Sequence, residues 1–234
     1  LLAPVRLNLR HKLRVESVHR EAPGVFSVVV RGDHLEEMGA QSGQFFRWRF
    51  LADGMRWTST PYSLSAPPRP DRLRITVKAL GDHSASVGLL RPGTRVWAEG
   101  PYGSMTAERR TSRKVLMIAG GVGITPLRAL FESIPGGPGE VTLLYRARTP
   151  EDLALGAELE SIAQWRGARV LYAVNGADGS RPQFTAEALR ASVPDVAGHD
   201  VYLCGPPAMA RDLYAALRTA GVPDRRIHHE SFEL

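Results

Sequence analysis

The hydrophobic period of this chain changes once, near residue 110, and that change restricts the fold to two kinds of packing in series. Before it, short β-branched or alternating runs follow one another at residues 12–18, 25–31, 44–50, 73–80 and 94–99, separated by Gly, Pro and Asp. In 73–80 the alternation is clean: Leu73, Ile75, Val77 and Ala79 face one way and Arg74, Thr76 and Lys78 the other. A short helix is expected over 84–90, stopped by Pro92-Gly93. Close-spaced strands of this kind predict a small antiparallel barrel. After the change, apolar strands at 115–119, 141–145, 169–174, 201–204 and 227–232 alternate with helical runs. The helices are expected from residue 124 to 133 and over 151–165, 185–191 and 207–220. Such alternation predicts βαβ units and a doubly wound parallel sheet. The joint falls in the polar stretch 108–113, giving a barrel domain over 12–109 and an α/β domain over 110–234, behind a basic arm at 1–11.

Composition narrows the class. The 234 residues are 43% hydrophobic and 23% charged, which suits a folded chain and not a disordered one. A single cysteine, Cys204, allows no disulfide within the chain, no four-thiolate iron–sulfur cluster and no cysteine-rich zinc site. No metal site is expected. No run approaches the ~18 apolar residues that span a bilayer. The net charge is +6, and of the 30 basic residues all but Lys12, Lys78 and Lys114 are arginines. They are scattered and not arranged in a stripe with aromatics, so no nucleic-acid partner is expected. The exception is the start, where Arg6, Arg10, His11, Lys12 and Arg14 crowd together behind Leu1-Leu2-Ala3-Pro4 with no methionine. This reads either as a solvated arm or as the basic flank at the cytoplasmic end of a membrane helix.

Four local signals carry chemistry. Gly120-Gly121-Val122-Gly123-Ile124-Thr125-Pro126 follows a buried strand and opens a helix. Glycines there let backbone N–H groups approach a pyrophosphate at a helix N-terminus; a tight strand–helix turn is the plainer alternative. Cys204-Gly205-Pro206-Pro207-Ala208-Met209 ends a second strand, at the sheet edge where ligands sit in open α/β folds. Alone, that cysteine reads as a small buried hydrophobe. Thr60-Pro61-Tyr62-Ser63-Leu64-Ser65 places an aromatic beside hydroxyls, which suits either a planar ring or core packing. Gly81-Asp82-His83-Ser84 is a glycine turn before a short helix, either a phosphate seat or ordinary helix capping.

The order of these motifs is more specific than any one of them. Tyr-Ser, Gly-x-x-Ser, Gly100-Pro101-Tyr102-Gly103, Gly-Gly-x-Gly-Ile-Thr-Pro, Cys-Gly-Pro-Pro and a terminal Glu230-x-Phe232 follow in series. In this the chain resembles the ferredoxin–NADP reductase superfamily from about Lys12 to its end. Within it the chain looks most like the cytosolic dehydrogenase region of ferric-reductase and NADPH-oxidase-like membrane proteins. The resemblance implies an antiparallel Greek-key FAD-binding barrel followed by a doubly wound NAD(P)-binding sheet. It implies that Tyr62, Ser63 and Leu64 line the isoalloxazine of FAD, with Ser63 near its N5 edge. Val77, Lys78, Gly81, His83 and Ser84 would hold the ribityl and pyrophosphate groups. Gly121, Val122, Gly123, Ile124 and Thr125 would take the NADPH pyrophosphate. Cys204, Gly205, Pro206 and Met209 would lie beside the nicotinamide, and Phe232 would cover the flavin with the Glu230 carboxylate near it. Cys204, Ser63, Glu230 and Phe232 are thus the residues implied at the reacting centre.

Arg146, Arg148 and Arg181 are the residues expected to select the coenzyme. Arg146 and Arg148 end the second strand of the α/β half, and no acidic residue stands at Arg146 to bond a free 2′-hydroxyl. Gly179-Ser180-Arg181-Pro182 matches a motif that holds a 2′-phosphate in oxidase-like members, so NADPH is the expected coenzyme. One position departs from the family. Where soluble members carry Arg, and the ferric-reductase branch His, two residues before the Tyr, this chain has Thr60. Losing one charged hydrogen bond costs roughly 1.5–3 kcal/mol, or about one to two decades of FAD affinity. Lys78, Arg74 and His83 are the residues available to compensate. The implied reaction is hydride transfer from NADPH to FAD, then single-electron release to a haem in a transmembrane domain at the cytoplasmic face of the membrane. The alternatives are a free-standing reductase serving a ferredoxin, flavodoxin or oxygenase, or a non-catalytic flavin-binding module.

Overall fold

The computed structural model describes residues 8–231, and the chain divides into two compact units between Thr106 and Ala107. That boundary lies three residues before the one expected at 109/110. Residues 1–7 of the expected arm, and Phe232, lie outside the described residues. Residues 8–11 are helical and are not a free arm. Buried Asn8 donates to the Ala98 carbonyl (3.2 Å) and accepts from the Ala98 amide (2.8 Å). Buried His11 bonds through Nδ1 to the Asp33 carbonyl at 2.8 Å.

The first unit contains β1 (Arg14–Ala22), β2 (Val25–Arg31), β3 (Phe45–Phe50), β4 (Thr60–Ser63), β5 (Arg72–Lys78) and β6 (Val96–Tyr102). They form two three-stranded antiparallel sheets, β1-β2-β5 and β4-β3-β6. Two further bridges, Leu64↔Ile75 and Arg14↔Arg95, join the sheets at both edges, so the strands close as 1-2-5-4-3-6. Closure leaves no long edge unpaired. Strand β3 shows why these residues form it: Phe46, Trp48 and Phe50 are buried, while Arg47 and Arg49 alternate outward. In β5 the simple alternation fails at Thr76, which is buried. Its hydroxyl bonds Ser27 Oγ at 2.7 Å and Ser65 Oγ at 2.8 Å, so the polar side of the strand is covered there. The expected helix begins two residues early, as α1 (Asp82–Ser86), and tightens into a 3-10 turn at Val87–Leu89.

The second unit is a five-stranded parallel sheet in the order β11-β10-β7-β8-β9. The strands are β7 (Val115–Gly120), β8 (Val141–Arg146), β9 (Arg169–Ala173), β10 (Asp200–Gly205) and β11 (Ile227–Ser231). The helices are α2 (Ile124–Ser133), α3 (Gly156–Arg166), α4 (Ala186–Ser192) and α5 (Pro207–Thr219). All residues of β7 and β10 are buried, as continuous apolar runs in a two-sided parallel sheet should be. The expected helix over 151–165 is interrupted. A 3-10 turn at Pro150–Asp152 is followed by Ala154 and Leu155, both buried, and Leu155 takes the left-handed conformation (φ 62°) before α3 starts. Strand order reverses between β7 and β10, so the loops that follow these two neighbours open on the same crevice.

Candidate functional site

In the first unit, the Tyr62–Ser65 segment is fixed by its neighbours. Buried Trp48 donates its indole N–H to the Tyr62 carbonyl at 2.9 Å, and the Leu64 amide donates to the Gln44 carbonyl at 3.0 Å. On the other side Ser65 bonds the Arg74 carbonyl through its amide, while the Arg74 guanidinium donates to the Ser65 carbonyl (2.7 Å) and hydroxyl (3.2 Å). This leaves two polar atoms in the segment without a protein partner. The Tyr62 phenol oxygen and the Ser63 hydroxyl are buried and have no hydrogen bond among the described residues. The same holds for Nε2 of His83. Burial also pushes the Tyr62 phenol pKa up, against a smaller opposite effect of the Thr60 side chain beside it, which makes no hydrogen bond of proper geometry. Unpartnered buried polar atoms cost about 1–3 kcal/mol each, so three in one expected site fit a ligand rich in donors and acceptors. An isoalloxazine with its ribityl and pyrophosphate chain is such a ligand.

Two expected contacts are used internally. The Ser84 hydroxyl accepts from the Leu80 and Gly81 amides (2.8 and 3.1 Å) and donates to the Gly81 carbonyl, closing the turn itself. Arg74, a candidate substitute for the cation absent at Thr60, is bonded to Ser65. Lys78 at the end of β5 and His83 remain as candidates on the pyrophosphate side, while Val77 is core.

In the second unit the glycine loop forms a single 3-10 turn, Gly121–Gly123, running into α2 with no side chain capping either. Thr125 is buried and its hydroxyl donates to the Val122 carbonyl at 3.0 Å; the Tyr145 hydroxyl donates to the Gly121 carbonyl at 3.3 Å. Gly121 has φ +54°, and a Cβ placed there would meet nothing within 4 Å. Gly123 is the opposite case, packed on the backbone of Cys204 and Gly205. The Met209 thioether end covers Gly120 and Gly205, and Pro206 leads into α5. Cys204 is fully buried, and burial foremost, then the Glu230 carboxylate, pushes its thiol pKa well up. It therefore packs at this edge as a neutral thiol and is no nucleophile.

Glu230 pairs with Cys204 across the β10–β11 register. Its Oε2 is buried without a partner, and burial lifts its pKa to about 7. A carboxyl with a raised folded pKa stabilises fully below its unfolded pKa, and that contribution is lost as pH rises through about 7. Allowing for partial exposure, the fall amounts to about 1–2 kcal/mol. Glu230→Gln is expected to flatten the stability profile between about pH 4.5 and pH 7, read by thermal unfolding at each pH. An unchanged profile would remove Glu230 as its source.

Arg146 lies within electrostatic range of the two other expected coenzyme arginines, Arg148 and Arg181. Arg146 donates to the Ala173 carbonyl (3.1 Å) and to Asn175 Oδ1, which fixes its side chain. Its pKa is lowered by burial first, then by the neighbouring positive charges of Arg181 and Arg148. Arg148 and Arg181 are exposed. A cluster of like charges with one member held by hydrogen bonds suits a phosphate dianion. Asn175, Trp48 and the Arg74–Ser65 contact went unpredicted. Only Trp48 had a visible signal, its inward place in the alternating run of β3.

Comparison with known proteins agrees with this architecture. The family profile for the oxidoreductase NAD-binding domain matches residues 117–214. A flavohemoprotein of Xylella fastidiosa is 31% identical over 82% of this chain and 51% of its own length. The ferredoxin reductase component of a 3-ketosteroid-9-alpha-monooxygenase from Mycolicibacterium smegmatis is 31% identical over 95% of this chain and 65% of its own. The chain thus spans about half to two thirds of these relatives. Among solved structures, the ferredoxin reductase in carbazole 1,9a-dioxygenase superposes with a TM-score of 0.79 at 25% identity, over 95% of this chain and 67% of that one. The chain thus has the ferredoxin–NADP reductase-like fold, carries an oxidoreductase NAD-binding domain, and is similar over most of its length to FAD- and NAD-binding reductases.

Proposed function

We propose that this chain is an NADPH-preferring FAD reductase module that delivers single electrons to an oxygenase component. The unpartnered buried Tyr62, Ser63 and His83 atoms carry the flavin half of this reading. The Arg146–Arg148–Arg181 cluster carries the coenzyme half. When bound, the flavin supplies two-electron acceptance and one-electron release. The chain's own part is to orient. Trp48, Gln44 and Arg74 hold the Tyr62–Ser65 strand, the glycine loop and the α2 N-terminus receive a pyrophosphate, and Met209 covers the loop. With a single cysteine this chain cannot hold a four-thiolate cluster, so the acceptor centre lies outside these residues.

The oxygenase reading rests on the monooxygenase reductase relative, which matches 95% of the chain. A haem protein is the second reading, supported by the flavohemoprotein relative. Both replace the transmembrane haem expected from sequence, which neither relative's name supports. Among the described residues no helix is long and apolar enough to cross a membrane.

The test is anaerobic stopped-flow of the FAD-loaded chain, following flavin bleaching by NADPH and by NADH. Faster bleaching by NADPH is expected, with Arg146→Ala and Arg181→Ala each reducing that preference about 10–100-fold, the worth of one charged hydrogen bond. Equal rates for the two coenzymes would remove the NADPH assignment. No bleaching at saturating FAD would remove the reductase reading.

A further inference from the structure

A cavity of about 430 Å³ opens on the first unit, lined by Lys12, Arg14, Glu16, Arg31, Gly32, Asp33, Asp71 and Arg72. It lies at the opposite end of β5 from Lys78: Arg72 begins the strand and Lys78 ends it, six residues or roughly 20 Å away. Of the sequence features, only the basic run at the start of the chain reaches it, through Lys12 and Arg14.

The strand registers show what is unusual about its wall. Arg95 bridges Arg14, Arg14 pairs with Arg31, and Arg31 pairs with Arg72. Directly paired residues on neighbouring strands point to the same face, so four guanidiniums form one cross-strand row. Like charges directly opposite one another destabilise a sheet. The three acids of the cavity do not relieve the whole row. Glu16 binds Arg72 through two bonds (2.7 and 3.0 Å) and Asp71 binds the same arginine at 3.2 Å. Asp33 pairs with Lys12 at 3.5 Å. Arg14 has only the Gly93 carbonyl, at 3.0 Å, as a side-chain partner, and Arg31 has no hydrogen bond or ion pair among the described residues. Arg31 feels the Glu16 carboxylate, but both oxygens of that group are bonded to Arg72, so two adjacent guanidiniums with no ion pair of their own face a concavity whose volume lies in the small-molecule range.

We propose that this cavity is a binding site for a small oxyanion, a phosphate group above all, held between Arg14 and Arg31 and separate from the flavin and nucleotide segments. A guanidinium fork matches phosphate geometry with two parallel donors, and a bound anion would relieve the like-charge row. A flat docking face for an acidic protein would have no need of the cavity.

The probe is inorganic phosphate, added at constant low ionic strength to the FAD-loaded chain, with backbone amide shifts and thermal unfolding as readouts. The Gly32 amide is expected to shift saturably, with a matching gain in melting temperature. Arg14→Gln and Arg31→Gln should each weaken the apparent phosphate affinity at least tenfold. Arg31→Gln should also raise the melting temperature of the phosphate-free protein, because it removes a repulsion. That sign is opposite to the effect of losing a structural contact. Stabilisation with an unmoved Gly32 amide would place the phosphate in the nucleotide segments and overturn the proposal. So would a wild-type phosphate response in both variants. A parallel series with acetate distinguishes phosphate from a carboxylate source: an equal acetate response would overturn the preference for phosphate.

Discussion

Gly123→Ala is expected to destabilise the second unit by about 2–3 kcal/mol and to weaken NADPH binding at least tenfold. The reason is a backbone collision. A Cβ at residue 123 would lie inside van der Waals contact with the Cys204 carbonyl and 2.8 Å from the Gly205 amide nitrogen. Neither can turn aside as a side chain can, because Cys204 is paired in register with both β7 and β11. The methyl can be accommodated only by pushing the glycine turn away from the end of β10, and overpacking of this kind costs about 1–3 kcal/mol. The same displacement moves the loop and the α2 N-terminus that are proposed to receive the pyrophosphate. Two neighbouring glycines serve as controls. Gly120→Ala would press chiefly on the flexible end of Met209, with the Pro206 ring at 3.0 Å, and should cost less. Gly121→Ala meets no atom but keeps a positive φ, so it should cost only the left-handed penalty of about 1–2 kcal/mol. Thermal unfolding and NADPH titration of the three variants test the ordering. If Gly123→Ala proves no worse than Gly121→Ala, close packing on β10 is not what requires glycine at 123.

Asp200→Ala should have the larger effect on stability, about 3–5 kcal/mol, with a fall in melting temperature on the order of 10 °C. Asp200 is fully buried at the start of β10. One carboxylate oxygen accepts from the Thr111 amide at 2.7 Å, from the Ser112 amide and from the Thr111 hydroxyl at 3.3 Å. The other meets the Thr111 hydroxyl at 3.2 Å and His228 Nε2 at 3.2 Å, and the His228 ring also packs on Tyr202 (centroids 4.7 Å apart). Removing the carboxylate strands two backbone donors and a histidine nitrogen at a part-buried site, and each loss of that kind is costly. Asp200→Asn keeps the shape and one acceptor oxygen, so its loss should be intermediate. Calorimetry distinguishes the cases; a change below about 1 kcal/mol for Asp200→Ala would mean that water replaces the carboxylate. Coenzyme binding should survive in the folded fraction, since Asp200 stands at the opposite end of β10 from Gly205.

Much of this architecture was legible in the chain because it depends on local periodicity. The inward Phe46, Trp48 and Phe50, the continuous apolar run of β7 and the glycines after it each follow from neighbours within a few residues. The expected site segments were legible for the same reason, as short stretches at strand ends. What local pattern misjudged was polarity at covered positions. Thr76 reads as outward and is buried because Ser27 and Ser65, 49 and 11 residues away, complete its hydrogen bonds. Ser84, which local pattern leaves open between a phosphate ligand and a helix cap, closes its own turn.

By itself the sequence determined two units of different period and most of their strands and helices, though not β4, and it singled out the glycine and arginine segments proposed to hold a dinucleotide. It did so because side-chain alternation and helical repeat are properties of consecutive residues. Only the tertiary structure decided which partners complete those segments. Strand closure brings Arg74 to Ser65, and sheet order brings Gly123 against Cys204 and Asp200 against Thr111 and Ser112. It also aligns Arg14, Arg31 and Arg72 in one row. Each of these pairings depends on strand register, which no local window of the sequence contains, and register sets which charges and hydroxyls face one another.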